Sequence, residues 1–182
     1  MTEKTESTET LKKLVPFSRG PVEVFVGNAA FHRCFCDLLD SARHEILDYV
    51  IPEQQPDEFD REILAAYGRA VKRGVACHTL ITAANLFLVQ STWTPNFNLR
   101  TFLSRVPHIR LIDQVRGPFT IIDQERVLLN LESALEPGHY GVSVVLYDSA
   151  LARRLAEQFF QMWEKTATQQ DDLIESFERR IA

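Results

Sequence analysis

The stretch from Arg116 to Leu131 contains two short apolar runs separated by a polar joint. The runs are FTII and VLLNL, and the joint is Asp123-Gln124-Glu125-Arg126. Runs rich in β-branched and aromatic residues on both sides of a turn-like joint are typical of a β-hairpin. The short acceptor side chain of Asp123 suits a turn, because it can bond the backbone two residues on. The pattern therefore predicts a hairpin at Asp123.

The chain before this hairpin begins with a predicted strand and a predicted helix. Residues 22–26, VEVFV, alternate between apolar and polar and indicate a strand. From about residue 29 to residue 43, apolar residues recur every three or four positions, which predicts an amphipathic helix. Asn28 is the expected N-cap, because its side chain can accept from the first free backbone N–H groups.

A strand, a helix and a second strand follow in order. Residues 45–51, EILDYVI, predict a core strand. Asp57 or Asp60 can cap the next helix, which Gly74 closes. Residues 75–81, VACHTLI, predict the second strand. A strand–helix–strand order is typical of a parallel βαβ unit, so part of the sheet should be parallel.

The remaining elements complete an α/β fold. Residues 99–106 predict a short helix, and residues 108–113 predict an edge strand. Residues 140–146 predict a buried strand, which a helix capped by Asp148 or Ser149 follows. We therefore expect a mixed β-sheet flanked by helices on both faces.

The 182 residues fit one domain with terminal extensions. Residues 1–10 are rich in Thr and Glu, and residues 1–20 predict a disordered or loosely docked tail. Residues 21–166 form the predicted domain. Residues 167–182 predict a C-terminal helix with an apolar stripe at Leu173, Phe177 and Ile181.

Composition narrows the class of protein. The chain is 45% hydrophobic and 25% charged, as in soluble globular domains. Its net charge of -5 disfavours a nucleic-acid-binding face. It has no apolar run near about eighteen residues and no signal peptide, and its three cysteines suggest no disulfide framework. We expect a cytoplasmic protein with no membrane partner.

Two groups of residues raise the question of a metal or a nucleophile. His32 and Cys36 have the spacing to share a helix face, but no second pair follows, so we expect no metal and no cofactor. Buried thiols and a surface histidine are the favoured interpretation. Cys77 and His78 are adjacent on a strand and should point to opposite faces, which disfavours a Cys–His pair. His139 is the other residue that could serve an unrecognised hydrolase.

The hairpin resembles the motif of phospholipase D-like proteins, which is His-x-Lys-x4-Asp followed by Gly-Ser and Asn. With Asp123 in the Asp place, Arg116 holds the His place and Pro118 the Lys place, while Asn130 and Leu131 fall near the Gly-Ser place. Arginine stays protonated and is no nucleophile, and proline offers no side-chain donor. None of the five histidines begins a His-x-Lys pair. The resemblance therefore implies a phospholipase D-like fold without phosphodiesterase activity.

The order of elements from Val22 to Lys165 is similar to the effector domains of TrmB-type transcription regulators. The phrase LARRLAEQFFQMWEKT resembles the closing helix of such domains. That resemblance implies a non-catalytic sensing module that binds a small polar ligand, such as a sugar or phosphorylated metabolite, as a homodimer. Only about twenty residues precede the first strand, too few for a winged helix-turn-helix, so we expect no DNA binding by this chain. A hydrolase with an unrecognised nucleophile, and a scaffold that docks a protein partner through its C-terminal helix, are the alternatives.

The expected ligand site lies where the catalytic groups of active relatives would be. We predict that Arg116 and Asn130 line a small polar pocket and that Asp123 holds the turn. Arginine presents donors in a fixed fork that suits carboxylates, phosphates or vicinal hydroxyls, and asparagine can donate and accept. The alternative for Arg116 is an ordinary surface position in a loop.

Overall fold

The computed structural model describes residues 20–49, 58–82, 108–115, 117–133 and 140–166. The strands are β1 (Val22–Val26), β2 (Glu45–Tyr49), β3 (Ala76–Thr82), β4 (His108–Ile112), β5 (Phe119–Ile122), β6 (Arg126–Glu132) and β7 (Tyr140–Leu146). The helices are α1 (Asn28–Ser41), α2 (Glu58–Lys72) and α3 (Ser149–Lys165).

The strands form one mixed sheet in the order β1-β7-β6-β5-β2-β3-β4. β2, β3 and β4 are parallel, and the other pairings are antiparallel. The predicted parallel βαβ step from β2 to β3 and the predicted hairpin of β5 and β6 are both confirmed. The strand that was expected at an edge, β4, closes one side of the described sheet.

Each face of the sheet packs against helices, because successive strand residues point to opposite sides. On one face, Ile46 and Cys77 belong to a core that α1 and α2 cover. On the other face, Leu47 and Leu80 belong to a core that α3 covers. The predicted α/β class, a mixed sheet flanked by helices, is confirmed.

The helix ends agree only partly with the sequence prediction. Asn28 is already the first residue of α1, so the N-cap is Gly27. Gly27 has a φ of 81°, which suits glycine, and no side chain caps this end of the helix. The prediction of Asn28 as the cap is therefore wrong. Gly74 has a φ of 85°, as predicted for the residue after α2. Asp148 caps α3 by accepting from the N–H groups of Ala150 and Leu151, each at 3.0 Å.

Several sequence predictions fall outside the described residues. They are the N-terminal tail, the helix over 99–106, the C-terminal helix with its stripe, and the positions of Asp57, Arg116 and His139. Asp60 lies inside α2, so it is not the cap of that helix. In the part of the chain that the structure describes, no helix is long and apolar enough to cross a membrane.

Candidate ligand-binding site

The hairpin turn places two non-glycine residues in the left-handed backbone region. Asp123 has a φ of 55° and Gln124 a φ of 52°. Consecutive positive φ values match the twist of a two-stranded hairpin, and aspartate tolerates this region better than most residues. The turn chemistry that the sequence indicated at Asp123 therefore has a direct backbone basis.

The Asp123 carboxylate joins the hairpin to the start of β2. It accepts from the backbone N–H groups of Arg43 at 3.0 Å, His44 at 2.8 Å and Glu45 at 3.1 Å. Arg126 lies 3.5 Å from the same carboxylate. Burial opposes the charge, but these three N–H groups and Arg126 outweigh it and lower the pKa of Asp123. Asp123 thus holds the turn, and its role in binding a ligand stays a prediction.

Asn130 lies near the other end of β6, away from the turn. It stands opposite Ser143 of β7, and both residues point to the face that α1 and α2 cover. Asn130 is 6% exposed and Ser143 is 1% exposed. Within the described residues, Asn130 Oδ1 and Ser143 Oγ have no hydrogen-bond partner. The two residues therefore bring unsatisfied polar atoms together inside the fold, where such atoms are costly.

The predicted site residues are not all brought together. Asp123 and Asn130 lie at opposite ends of the hairpin, while Arg116 is outside the described residues. Ser143 is a further candidate that sequence analysis missed. Its signal was a lone serine within the apolar run YGVSVVL.

A second buried polar group lies one step along the same face of the sheet. Asp48 of β2 is 3% exposed and accepts from the hydroxyl of Thr120 at 2.6 Å. It also accepts from the hydroxyl of Tyr67 in α2. Thr120 of β5 pairs with Leu128 of β6, and Asn130 lies two residues further along β6. The side chains of Thr120 and Asn130 are therefore diagonal neighbours on one face of the sheet. Asp48 lies within the apolar run EILDYVI, where no local pattern distinguishes it as a functional candidate.

A cleft of about 540 Å³ lies between β1 and α1. Its walls include Glu23, Arg33 and Arg126, but neither Asn130 nor Ser143. Because both acidic and basic side chains line this cleft, its charge favours neither an anionic nor a cationic ligand.

Cys77 and His32, two of the residues that the sequence raised as candidates for chemistry, are buried in the core. Cys77 lies in the core beneath α1 and α2, where burial raises the pKa of its thiol to about 12. A thiol with that pKa is no nucleophile at neutral pH. His32 is 1% exposed and packs on Phe31, with ring centres 5.1 Å apart, so the prediction of a surface histidine is wrong. The reason is that its position on α1 faces the core rather than solvent.

No three His, Cys, Asp or Glu side chains of the described ranges gather in a way that could hold a metal ion. In particular, His32 is buried while Cys36 is half-buried.

The C-terminal end of α3 is fixed to the edge strand β4 by aromatic and cationic contacts. The rings of His78 and His108 stack with centres 5.1 Å apart, and His78 meets Trp163 edge-on at 5.0 Å. The Arg110 guanidinium lies 4.6 Å from the Trp163 ring and donates to the carbonyl of Thr166 at 2.9 Å. Burial, His108 and Arg110 all lower the pKa of His78. These contacts confirm that the aromatic stripe of the closing helix serves core packing.

The mixed sheet with helices on both faces is an α/β fold that is similar to solved structures of phospholipase D family members. The fold is similar to Nuc of Salmonella typhimurium, a phospholipase D family member, with a TM-score of 0.59 and 18% identity over 82% of this chain and 97% of that chain. It is also similar to NucT from Helicobacter pylori, with a TM-score of 0.54 and 14% identity over 81% of this chain and 98% of that chain.

The fold is likewise similar to TrmBL2, described as an archaeal chromatin protein with a novel mode of DNA binding. The TM-score is 0.61 and the sequence identity is 21%. The match covers 90% of this chain and 62% of the TrmBL2 chain. No protein-family profile matches the chain, and no curated protein sequence matches it. At these identities, the likeness to solved structures concerns the fold alone.

Proposed function

We propose that this domain is a non-catalytic sensing module that binds a small polar ligand at the Asn130–Ser143 end of the hairpin. The observation that carries the proposal is the pair of buried acceptor atoms, Asn130 Oδ1 and Ser143 Oγ, without a partner among the described residues. Buried polar atoms normally have hydrogen-bond partners, and a ligand with hydroxyl or amine donors would supply them. Arg116, whose position in the sequence precedes β5, would bind an anionic or vicinal-diol part of the same ligand.

The residues at the catalytic positions of the phospholipase D-like motif support a non-catalytic role. Arg116 and Pro118 stand where the resemblance calls for His and Lys. The alternative nucleophile, Cys77, is fully buried, and its thiol has a raised pKa. Assay with bis-nitrophenyl phosphate should give no hydrolysis above the rate of a buffer blank. Hydrolysis that a single substitution in this chain abolishes would instead make the domain a phosphodiesterase.

The ligand experiment is a thermal-shift screen of sugars, nucleotides and phosphorylated metabolites. A ligand at a hundred times its dissociation constant should stabilise the domain by about 2.7 kcal/mol. Arg116→Ala should abolish that stabilisation and leave the melting temperature of the unliganded protein almost unchanged. Arg154→Ala, which removes an exposed arginine of α3, is the matched control and should keep the full stabilisation. A ligand that binds Arg116→Ala unchanged would place the site elsewhere.

We also propose that the module is a homodimer in the cytoplasm. The support is the apolar stripe Leu173, Phe177 and Ile181, which needs a surface to cover it, and C2 pairs are the commonest oligomers. Light scattering at micromolar concentration should give about twice the chain mass of 20.9 kDa. A mass near that of one chain would leave the stripe available to a protein partner, as in the scaffold alternative.

Nucleic acid is a second candidate partner. The expectation against it rested on the net charge of -5, whereas TrmBL2, which shares the fold, is described as binding DNA. Fluorescence anisotropy with labelled duplex DNA at low salt tests whether nucleic acid, as well as a small polar ligand, is a partner of the domain. Binding that weakens steeply with added salt would favour the DNA partner, because such binding releases condensed counterions.

A further inference from the structure

The first strand, β1, lies at one edge of the described sheet. Its residues Val22–Val26 pair with β7 along one side, and no described strand pairs with the other side. The antiparallel pairing with β7 is regular from one end of β1 to the other. An unpaired edge presents free backbone N–H and C=O groups and can therefore accept a further strand.

The two ends of β1 show which of its backbone groups point towards that open edge. Before the strand, Pro21 accepts a hydrogen bond of 3.0 Å from the residue that follows β7, and after the strand Gly27 donates one of 3.1 Å to β7. In an antiparallel ladder, every second residue bonds the neighbouring strand. Residues 23 and 25 therefore bond β7 as well. The residues whose N–H and C=O groups point outward are Val22, Val24 and Val26.

The side chains of these three valines lie on the face that α3 covers, but they are covered unequally. Val22 is 2% exposed and belongs to the core beneath α3, whereas Val26 at the other end of the strand is 73% exposed. Natural edge strands are usually protected by Lys or Pro, and residues 22–26 contain neither. The one charged residue of the strand, Glu23, points to the opposite face.

The edge on the other side of the sheet is protected in a way that β1 is not. There, β4 carries His108 and Arg110. The Arg110 guanidinium lies 4.6 Å from the ring of Trp163 at the end of α3. Charged side chains and a covering helix both disfavour pairing with a further strand. Of the two edges of the described sheet, β1 is therefore the one that is suited to a partner strand.

The sequence of β1 fits a second copy of the same strand. The run VEVFV alternates in a pattern that is symmetric about Val24. If two copies pair antiparallel about a two-fold axis at Val24, each Val22 lies opposite a Val26 and each Glu23 lies opposite a Phe25. Apolar pairs of this kind stabilise neighbouring strands. Parallel pairing in register would instead place the two Glu23 carboxylates side by side, which is unfavourable.

We propose that the open edge of β1 is a dimer interface, in which β1 pairs antiparallel with β1 of a second copy. This interface rests on the homodimer proposed above and names the surface that forms it. The two seven-stranded sheets become one continuous sheet, and the outward groups of the two strands exchange about six backbone hydrogen bonds. The exposed Val26 of each copy packs against the partner's Val22. Because both copies use the same strand, the contact closes on itself as a C2 dimer.

Amide hydrogen exchange by NMR tests the interface residue by residue. In protein that light scattering shows to be dimeric, the outward amides of Val22, Val24 and Val26 should be protected from exchange. The amide of Phe25, which bonds β7 within the same chain, should be protected whether or not the protein is a dimer. An isotope-filtered spectrum of mixed labelled and unlabelled dimers should show a contact between the α-protons of Glu23 and the partner's Phe25, since such non-hydrogen-bonded pairs lie close together.

Two substitutions attack the interface without removing a bond of the single chain. Val26→Lys places a charge at a position that is 73% exposed in one chain. Val24→Pro removes an N–H that points outward, and edge strands tolerate proline at such positions. Each should raise the dissociation constant of the dimer about tenfold or more and leave the circular dichroism spectrum unchanged. Leu131→Lys, at a 58% exposed position on the inner strand β6, is the matched control and should leave the dimer intact.

The possible outcomes separate this interface from the homodimer itself. A mass of one chain at micromolar concentration would contradict both the homodimer and the interface at β1. A dimer in which the Val24 amide exchanges freely would overturn the interface alone. The same conclusion would follow if Val26→Lys left the dimer intact and Phe177→Lys dissociated it, because the C-terminal stripe would then form the contact.

Discussion

The two aspartates at the two ends of β2 have opposite environments. At the start of the strand, Asp123 receives three backbone N–H groups and lies beside Arg126, so its pKa is lowered. At the other end, Asp48 lies in the core with two hydroxyl donors, so burial dominates and its pKa rises to about 6. The negative charge is therefore favoured for the aspartate at one end of the strand and disfavoured for the aspartate at the other. Donor number and charge, rather than burial alone, decide between the two states.

The largest expected effect is the loss of the Asp123 carboxylate. Asp123→Ala removes the acceptor of three backbone N–H groups and puts alanine at a φ of 55°. Hydrogen bonds to charged groups and the left-handed backbone together suggest a loss of about 3–4 kcal/mol in unfolding free energy. Urea denaturation at pH 7 measures it. Asp123→Asn, which keeps an acceptor and tolerates the turn, should lose clearly less; equal losses would contradict the turn-holding role.

The second effect has the opposite sign. Asp48→Asn removes a charge that is buried at pH 7, and the rise of the pKa from 3.8 to about 6 corresponds to a gain of up to about 3 kcal/mol. The gain should shrink towards zero as the pH falls to 4, because the unsubstituted protein is then protonated too. Denaturation at pH 4, 5.5 and 7 measures this difference. A variant that is equally destabilised at all three values would show that the carboxylate is not strained by burial.

The pH dependence of the unsubstituted protein should show both aspartates at once. As the pH falls from about 6 to about 4, protonation of Asp48 adds stability, because its folded pKa is raised. Below about 4, protonation of Asp123 removes stability, because its folded pKa is lowered. The melting temperature measured in Asp123→Asn should keep the first trend and lose part of the second. Loss of the first trend in that variant would mean that the two groups are coupled.

The smallest effect concerns Ser143. Its buried hydroxyl oxygen has no partner among the described residues, so Ser143→Ala should change stability by less than about 1 kcal/mol without ligand. A loss near 3 kcal/mol would show that the hydroxyl already has a structural partner. The measurement is urea denaturation, with Thr120→Val as the contrast, because that change removes a donor to Asp48.

The contrast between the two aspartates also shows how far sequence reasoning reaches. The turn at Asp123 follows from local chemistry, and so do the strands, which are set by alternation within a few residues. The partners of its carboxylate are 78 to 80 residues away, beyond any local pattern. Asp48 was hidden within an apolar strand, since its hydroxyl donors are 19 and 72 residues distant. Ser143 escaped notice for the same reason, because only strand pairing places it opposite Asn130.

The central claim is that the end of the hairpin binds a small polar ligand through Asn130. The side-chain amide signals of Asn130 in a ¹⁵N-correlated NMR spectrum test this claim most directly, during titration with any compound that stabilises the domain. We expect these signals to shift in a saturable way, with the same dissociation constant as the thermal stabilisation. The control variant Arg154→Ala should show the same shifts. Saturable shifts elsewhere with unmoved Asn130 signals would contradict the claim.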